Sequence, residues 1–198
     1  GTTAAQTQGF KPTDLTTPDG GAAYSEALDL LANQDEFDIN LIMLPGIIHN
    51  LHTPITNKAI DICEDRGDCF AIIDPIIKGK NVGDATTEAE KVDSNFAGMY
   101  WPWVQISDSQ VAGTMRWVPP SVVLGGIYAF NDKVAHPWFA PAGLNRGGIT
   151  SAIQAERKLT QGERDTLYDS NINPIATFPG QGVTVFGQKT LQKKSSAL

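Results

Sequence analysis

Two short apolar runs, each stopped by a proline, constrain this chain more than any other feature. "DINLIMLPG" (38–46) and "CFAIIDP" (69–75) read as strands buried on both faces, because neither alternates with polar residues. Between them Ile55, Ala59, Ile62 and Cys63 fall at i, i+4, i+7 and i+8, behind Thr53 as N-cap and Pro54 at the first helical position. Two such strands joined through one helix imply a parallel, right-handed crossover. A further helix is predicted over 22–34, with Ala23, Ala27, Leu30 and Leu31 as its buried stripe. The first half of the chain is therefore α/β in character.

The second half has another style. "AGMYWPWVQI" (97–106) is strand-like, but Pro102 bars it from the middle of a sheet unless it is bulged or at an edge. "DATTEAEKV" (84–92) makes a short helix. A longer helix should start at Pro119-Pro120 and run to about Val134, with Gly125 and Gly126 inside it. Each internal glycine costs about 1 kcal/mol against alanine, so this helix is expected to lie tight against the sheet. "ITSAIQAERKL" (149–159) is strand-like in its first half, and Thr160 with Glu163 forms a capping box. "INPIATFPGQGVTVFGQKTL" (172–191) reads as two strands around a Pro-Gly turn. The fold class is α/β (α+β): a mixed sheet with flanking helices, a parallel crossover first and antiparallel strands toward the C-terminus. Residues 22–191 are expected to form one domain, after a Thr/Gly/Pro-rich lead (1–21) expected to be flexible or extended and before a tail (192–198) expected to be disordered.

Charge narrows the function. With 198 residues, 41% of them hydrophobic, and a formal charge of −7, the chain can build one sizeable core but lacks the basic face that gripping nucleic acid requires. Lys189, Lys193 and Lys194 read as a solvated end. No apolar run is long enough to insert in a membrane and the first residues lack signal-peptide order, so a soluble product assembled in the cytoplasm is expected. Cys63 and Cys69 are expected as reduced, buried thiols.

Candidate chemistry is sparse. His49 and His52 lie just past the first strand, and Asp74 ends the second, where open α/β sheets bind ligands. A metal-dependent hydrolase built on His49, His52 and Asp74 is the alternative reading, yet no further acid falls at ligand spacing. Cys63 and Cys69 joined to the two histidines give a Cys2His2 set, but five residues between the cysteines do not suit a zinc knuckle. There is no nucleophile elbow and no phosphate loop, and "GQGVTVFG" (180–187) supplies turn and bulge glycines instead. Glu88 and Glu90 resemble a solvated helix face. No catalytic residue, cofactor or metal is assigned, and the chain is not expected to be an enzyme. The four tryptophans, Trp101, Trp103, Trp117 and Trp138, fit either core or an assembly surface.

From Asp19 to about Leu191 the order of blocks resembles the contractile tail sheath proteins of myovirus-type bacteriophages. The blocks are "PDGG" with "ALDLLANQDEFDINLIMLPG", "AIDICEDRGDCFAIIDP", "MYWPWVQI", "VPPSVVLGGIYAFNDKVAHPWFAPAGLNRG" and "INPIATFPGQGVTVFGQKTL". "VPPS", "APAGLNRG" and "FPGQGVTVFGQKTL" in that order carry most of the specificity. The resemblance implies a structural virion subunit, made in the host bacterial cytoplasm, that polymerises helically around an inner tail tube and contracts to drive the tube through the host envelope. It implies neighbouring sheath subunits, the tube and the baseplate as partners, with no direct nucleic acid and no membrane insertion. Family members continue past the "GQKTL" strand and carry a larger N-terminal region, so a fragment, monomeric by itself, is expected. Within "WFAPAGLNRGG" (138–148), Trp138, Asn145 and Arg146 are the candidate subunit-contact residues, although Arg146 also suits a local role.

Overall fold

The structure, a computed structural model, describes residues 20–108 and 110–194. The lead expected over 1–21 and the tail over 192–198 fall largely outside the described residues. The first helix, α1 (Gly21–Leu31), follows Gly20, whose φ of 119° suits glycine. Its inward residues are Gly21, Tyr24, Leu28 and Leu31, whereas Ala23, Ala27 and Leu30 face outward, which corrects the predicted stripe. Tyr24 and Leu28 claim the core because they are the bulkier pair one turn apart.

The crossover region follows. β1 (Leu41–Ile48), α2 (Thr53–Arg66) and β2 (Phe70–Asp74) form the expected unit, with β1 and β2 parallel and Leu41, Ile42 and Met43 opposite Phe70, Ala71 and Ile72. Pro45-Gly46 does not end β1. The strand runs through it because β1 is the sheet's edge, where a missing N–H costs no ladder bond, and the register shifts between Met43 and Ile48. In α2 the residue before the helix is His52, one position earlier than predicted, and Pro54 sits in the first turn. Ile55, Ala59, Ile62 and Cys63 are all buried, as their spacing requires. Gly67 closes the helix in the left-handed region, φ 71°, its N–H reaching the Cys63 carbonyl at 2.9 Å.

α3 (Val82–Ala89) begins earlier than predicted because Asn81 and Asp84 cap it reciprocally. β3 (Ala97–Trp101) is buried along its whole length and pairs in parallel with β2. Pro102 resolves the problem it posed by ending that strand. The Trp101-Pro102 bond is cis, and the chain resumes as β4 (Val104–Ser107) in a second sheet. The single strand predicted over 97–106 is therefore two strands of two sheets. β5 (Met115–Val118), too short and too exposed to show a pattern, pairs antiparallel with β4.

α4 (Ser121–Val134) starts at the proline pair. At Gly125 a Cβ would come within 2.9 Å of the Met43 Cε, which is the close packing the glycine predicted; Gly126 faces open space and has no such reason. β6 (Ala152–Ala155) completes the second sheet in the order β5-β4-β6. α5 (Gln161–Asp169) carries the Thr160–Glu163 capping box in both directions. β7 (Ile172–Phe178) and β8 (Gly182–Val185) form the predicted hairpin, and the main sheet runs β1-β2-β3-β7-β8, parallel except at that last pair. The core divides into two clusters on the sheet's two faces: Ile55, Met99, Trp101 and Leu167 belong to one, and Ile72, Tyr100, Leu124 and Ile175 to the other. Odd and even positions of one strand thus serve opposite layers, as the pleat dictates.

Candidate functional site

The parallel strands deliver His49, His52 and Asp74 to one end of the sheet, where each side chain is buried. They do not converge on a common point. The His49 Nδ1 shares a 2.7 Å hydrogen bond with the Thr56 hydroxyl, and the backbone N–H of His49 donates to the Asp74 backbone carbonyl at 2.8 Å. The His52 Nδ1 accepts the Ile48 N–H at 2.9 Å, which places that ring's proton on Nε2. Asp74 accepts the Ser121 N–H at 3.0 Å and its hydroxyl at 2.5 Å, so the carboxyl caps the N-terminus of α4 from another strand. Among the described residues no three histidine, cysteine or acidic side chains could hold a metal ion.

Electrostatics agrees with a packing role. Burial pushes the Asp74 pKa up to about 7, with the two Ser121 hydrogen bonds pulling the other way. Burial likewise lowers His49, against a smaller pull from the Glu88 charge, so the ring is neutral near pH 7. A neutral, buried histidine bonded through Nδ1 to threonine orients the turn between β1 and α2. Cys63 and Cys69 are free and buried, with no histidine completing a zinc set among the described residues.

The tryptophans separate by environment. Trp101 is fully buried; the Trp103 Nε1 donates to the Ile76 carbonyl at 2.9 Å; Trp117 lies 4.9 Å beneath the Lys78 ammonium. Trp138 is 76% exposed. It stacks 4.3 Å from Phe139 and 5.3 Å from His136, and the Arg146 guanidinium lies 4.6 Å from the Phe139 ring centre. The result is a rigid aromatic ledge with its outer face uncovered. Arg146 therefore has a local partner, and Asn145 is exposed beside it.

The glycines anchor this ledge. Gly143 N–H donates to the Val185 carbonyl at 2.9 Å, and Val185 N–H returns to the Gly147 carbonyl at 2.7 Å. A Cβ on Gly147 would fall 2.5 Å from the Val185 oxygen, so only glycine allows the loop to lie along β8. Asn131 Nδ2 donates to the Phe139 carbonyl at 2.8 Å and ties the aromatic end to α4. Sequence reasoning missed His136 and Phe139 as parts of the ledge. It also missed an outward row on α4, where Val122, Phe130 and Val134 are exposed at helical spacing; the spacing of these apolar residues was the signal that could have found it.

Residues 20–191 match the family described as the phage tail sheath protein central domain. The chain belongs to the phage tail sheath family. Its relatives include the tail sheath protein of Vibrio phage KVP40, 42% identical over 82 residues, which span 41% of this chain and 12% of the relative. Another is that of Enterobacteria phage T4, 28% identical over 192 residues, covering 83% of this chain and 28% of the relative. This tail sheath chain thus spans well under half the length of the curated relatives it matches. Among solved structures, the sheath complex of an extracellular contractile injection system in its contracted state aligns with a TM-score of 0.64 at 25% identity, over 80% of this chain and 42% of that one. The contracted helical sheath of the anti-feeding prophage shares the fold, with a TM-score of 0.65 at 22% identity over 91% of this chain and 46% of that one. Nothing in these relatives favours the hydrolase alternative on His49, His52 and Asp74.

Proposed function

We propose that this chain forms the central part of a contractile tail sheath subunit, a structural component of a phage tail. It polymerises helically around the inner tail tube and shortens to drive the tube through the host envelope. The observation that carries the reading is the family match running from residue 20 to 191, across both sheets. The physics suits the task. Head-to-tail contacts that do not close generate a helix rather than a ring, and an interface with two packings stores the difference between them for release. A modest gain per subunit, multiplied along a cooperative lattice, then moves the whole tube.

The partners are neighbouring subunits, the tube and the baseplate, with assembly in the bacterial cytoplasm and the finished protein in the virion tail. Trp138, Asn145 and Arg146 supply a contact surface between subunits: Trp138 and Asn145 project outward, while Arg146 stiffens the ledge that holds them. By itself the 198-residue chain is monomeric. Electron microscopy of the natural gene product carrying this sequence tests the reading: striated tubes are expected, and their absence under conditions that assemble tail tubes overturns it. Light scattering of the chain alone should report single molecules, and spontaneous long polymers would contradict the monomer.

A further inference from the structure

At the turn between α2 and β2 two core cysteines bring their sulfurs into contact, a pairing that the sheath reading does not use. Cys63 lies in the last turn of α2 and Cys69 immediately precedes β2, and the Cys69 thiol points at the Cys63 sulfur across 3.2 Å. A disulfide needs about 2.05 Å, so closure requires the sulfurs, now 3.2 Å apart, to approach by about 1.2 Å.

The backbone on either side is already held in place. The Arg66 Nε and one terminal nitrogen grip the two Asp68 oxygens at 2.8 and 2.9 Å. The same guanidinium donates to the Leu31 carbonyl at 2.6 Å and the Phe37 carbonyl at 2.8 Å. With Gly67 capping the helix, the residues between the cysteines have little freedom left to lose. Among the described residues no other ligand joins the pair to make a metal site.

We propose that Cys63 and Cys69 are an oxidation site that closes to an intramolecular disulfide when the protein meets a peroxide. The two thiols have different parts. Cys63 is fully buried, whereas Cys69 is 5% exposed and follows the exposed Gly67 and Asp68. Cys69 therefore meets the oxidant. Its sulfur attacks one peroxide oxygen, the O–O bond breaks, and the departing hydroxide takes up the proton that the thiol loses, leaving as water and giving a sulfenic acid on Cys69. The Cys63 sulfur then displaces the hydroxyl from Cys69, and that hydroxide leaves as a second water with the Cys63 proton. In sum two thiols and one hydrogen peroxide give one disulfide and two waters. Burial and the hydrogen bond from Cys69 hold the Cys63 thiol well above the ordinary range, which leaves it as the resolving partner and not the first nucleophile. The closed bridge ties the end of α2 to the start of β2, a covalent clip that does not depend on the sheath reading.

The test exposes the purified chain to hydrogen peroxide, quenches it, and alkylates it in guanidinium before intact mass measurement. A loss of about 2 Da with no alkyl group added is expected, reversed by dithiothreitol. The melting temperature should rise by about 5 °C on oxidation. Cys69→Ala and Cys63→Ala should show neither change, and the wild-type mass result stands even if a variant folds poorly. Two alkylated thiols after peroxide, a gain of two oxygens on Cys69 without a bridge, or a dimer on a non-reducing gel would each overturn the proposal.

Discussion

The strand-end cluster and the aromatic ledge invert what their residue types suggest. His49, His52 and Asp74 have the chemistry of an active site but are sealed among local partners. The stretch 136–148 has no catalytic group of note, yet it holds an uncovered tryptophan on a braced platform. Titratable groups serve folding in the first region; a stiffened apolar surface faces outward in the second. Residue type alone does not distinguish these roles, and burial does.

Mutations should separate the two regions. The largest effect is expected at Asp74→Ala, which leaves the Ser121 N–H and hydroxyl without their acceptor at a buried helix start and should cost about 3 kcal/mol in denaturant unfolding. Gly147→Ala should follow, at about 2 kcal/mol, because the added Cβ meets a backbone oxygen that cannot swing aside. His49→Ala should lower stability by about 1 kcal/mol without changing bound metal, as elemental analysis of both proteins would report. Trp138→Ala is predicted to leave stability within about 0.5 kcal/mol of the parent while weakening assembly of the natural gene product. If Trp138→Ala unfolds the chain while Asp74→Ala is silent, the contrast between the two regions is reversed.

A pH titration sharpens the same comparison. Asp74 has a folded pKa of about 7 against an ordinary 3.8, so its protonated form is favoured by folding. Its contribution to stability is complete below about pH 4 and is lost as the pH rises through about 7. Asp74→Asn should flatten unfolding free energy against pH across that window, whereas Trp138→Ala should leave the slope intact.

Periodicity made much of the fold legible. The capping box of α5 and the last hairpin follow from local pattern because their partners are near in sequence, and the β1-α2-β2 crossover follows because its apolar runs and helical stripe leave few other ways to bury them. Where tertiary contacts decide, pattern misled. Pro45 looked like a strand end but lies on an edge, where its missing N–H is harmless. α1 turned a different face to the core, since Tyr24 and Leu28 outweigh two alanines. β5 has four residues and little burial, too small a signal to detect. The site was less legible still: Trp138 is exposed whereas Trp101 is buried and Trp103 and Trp117 are half-buried, and only the stacking of His136 and Phe139, with Arg146 over the Phe139 ring, shows why it can stand there.

Asn173 carries a further consequence. Fully buried on a central strand, it donates to the Met99 and Lys189 carbonyls and accepts the Lys189 N–H, while Leu191 N–H bonds to the Ala97 carbonyl. Tension applied to the polypeptide beyond Leu191 would therefore enter the sheet at β3 and β7, its middle, rather than peel an edge strand away. Such a load is spread over several hydrogen bonds at once, and the anchorage yields only when they fail together.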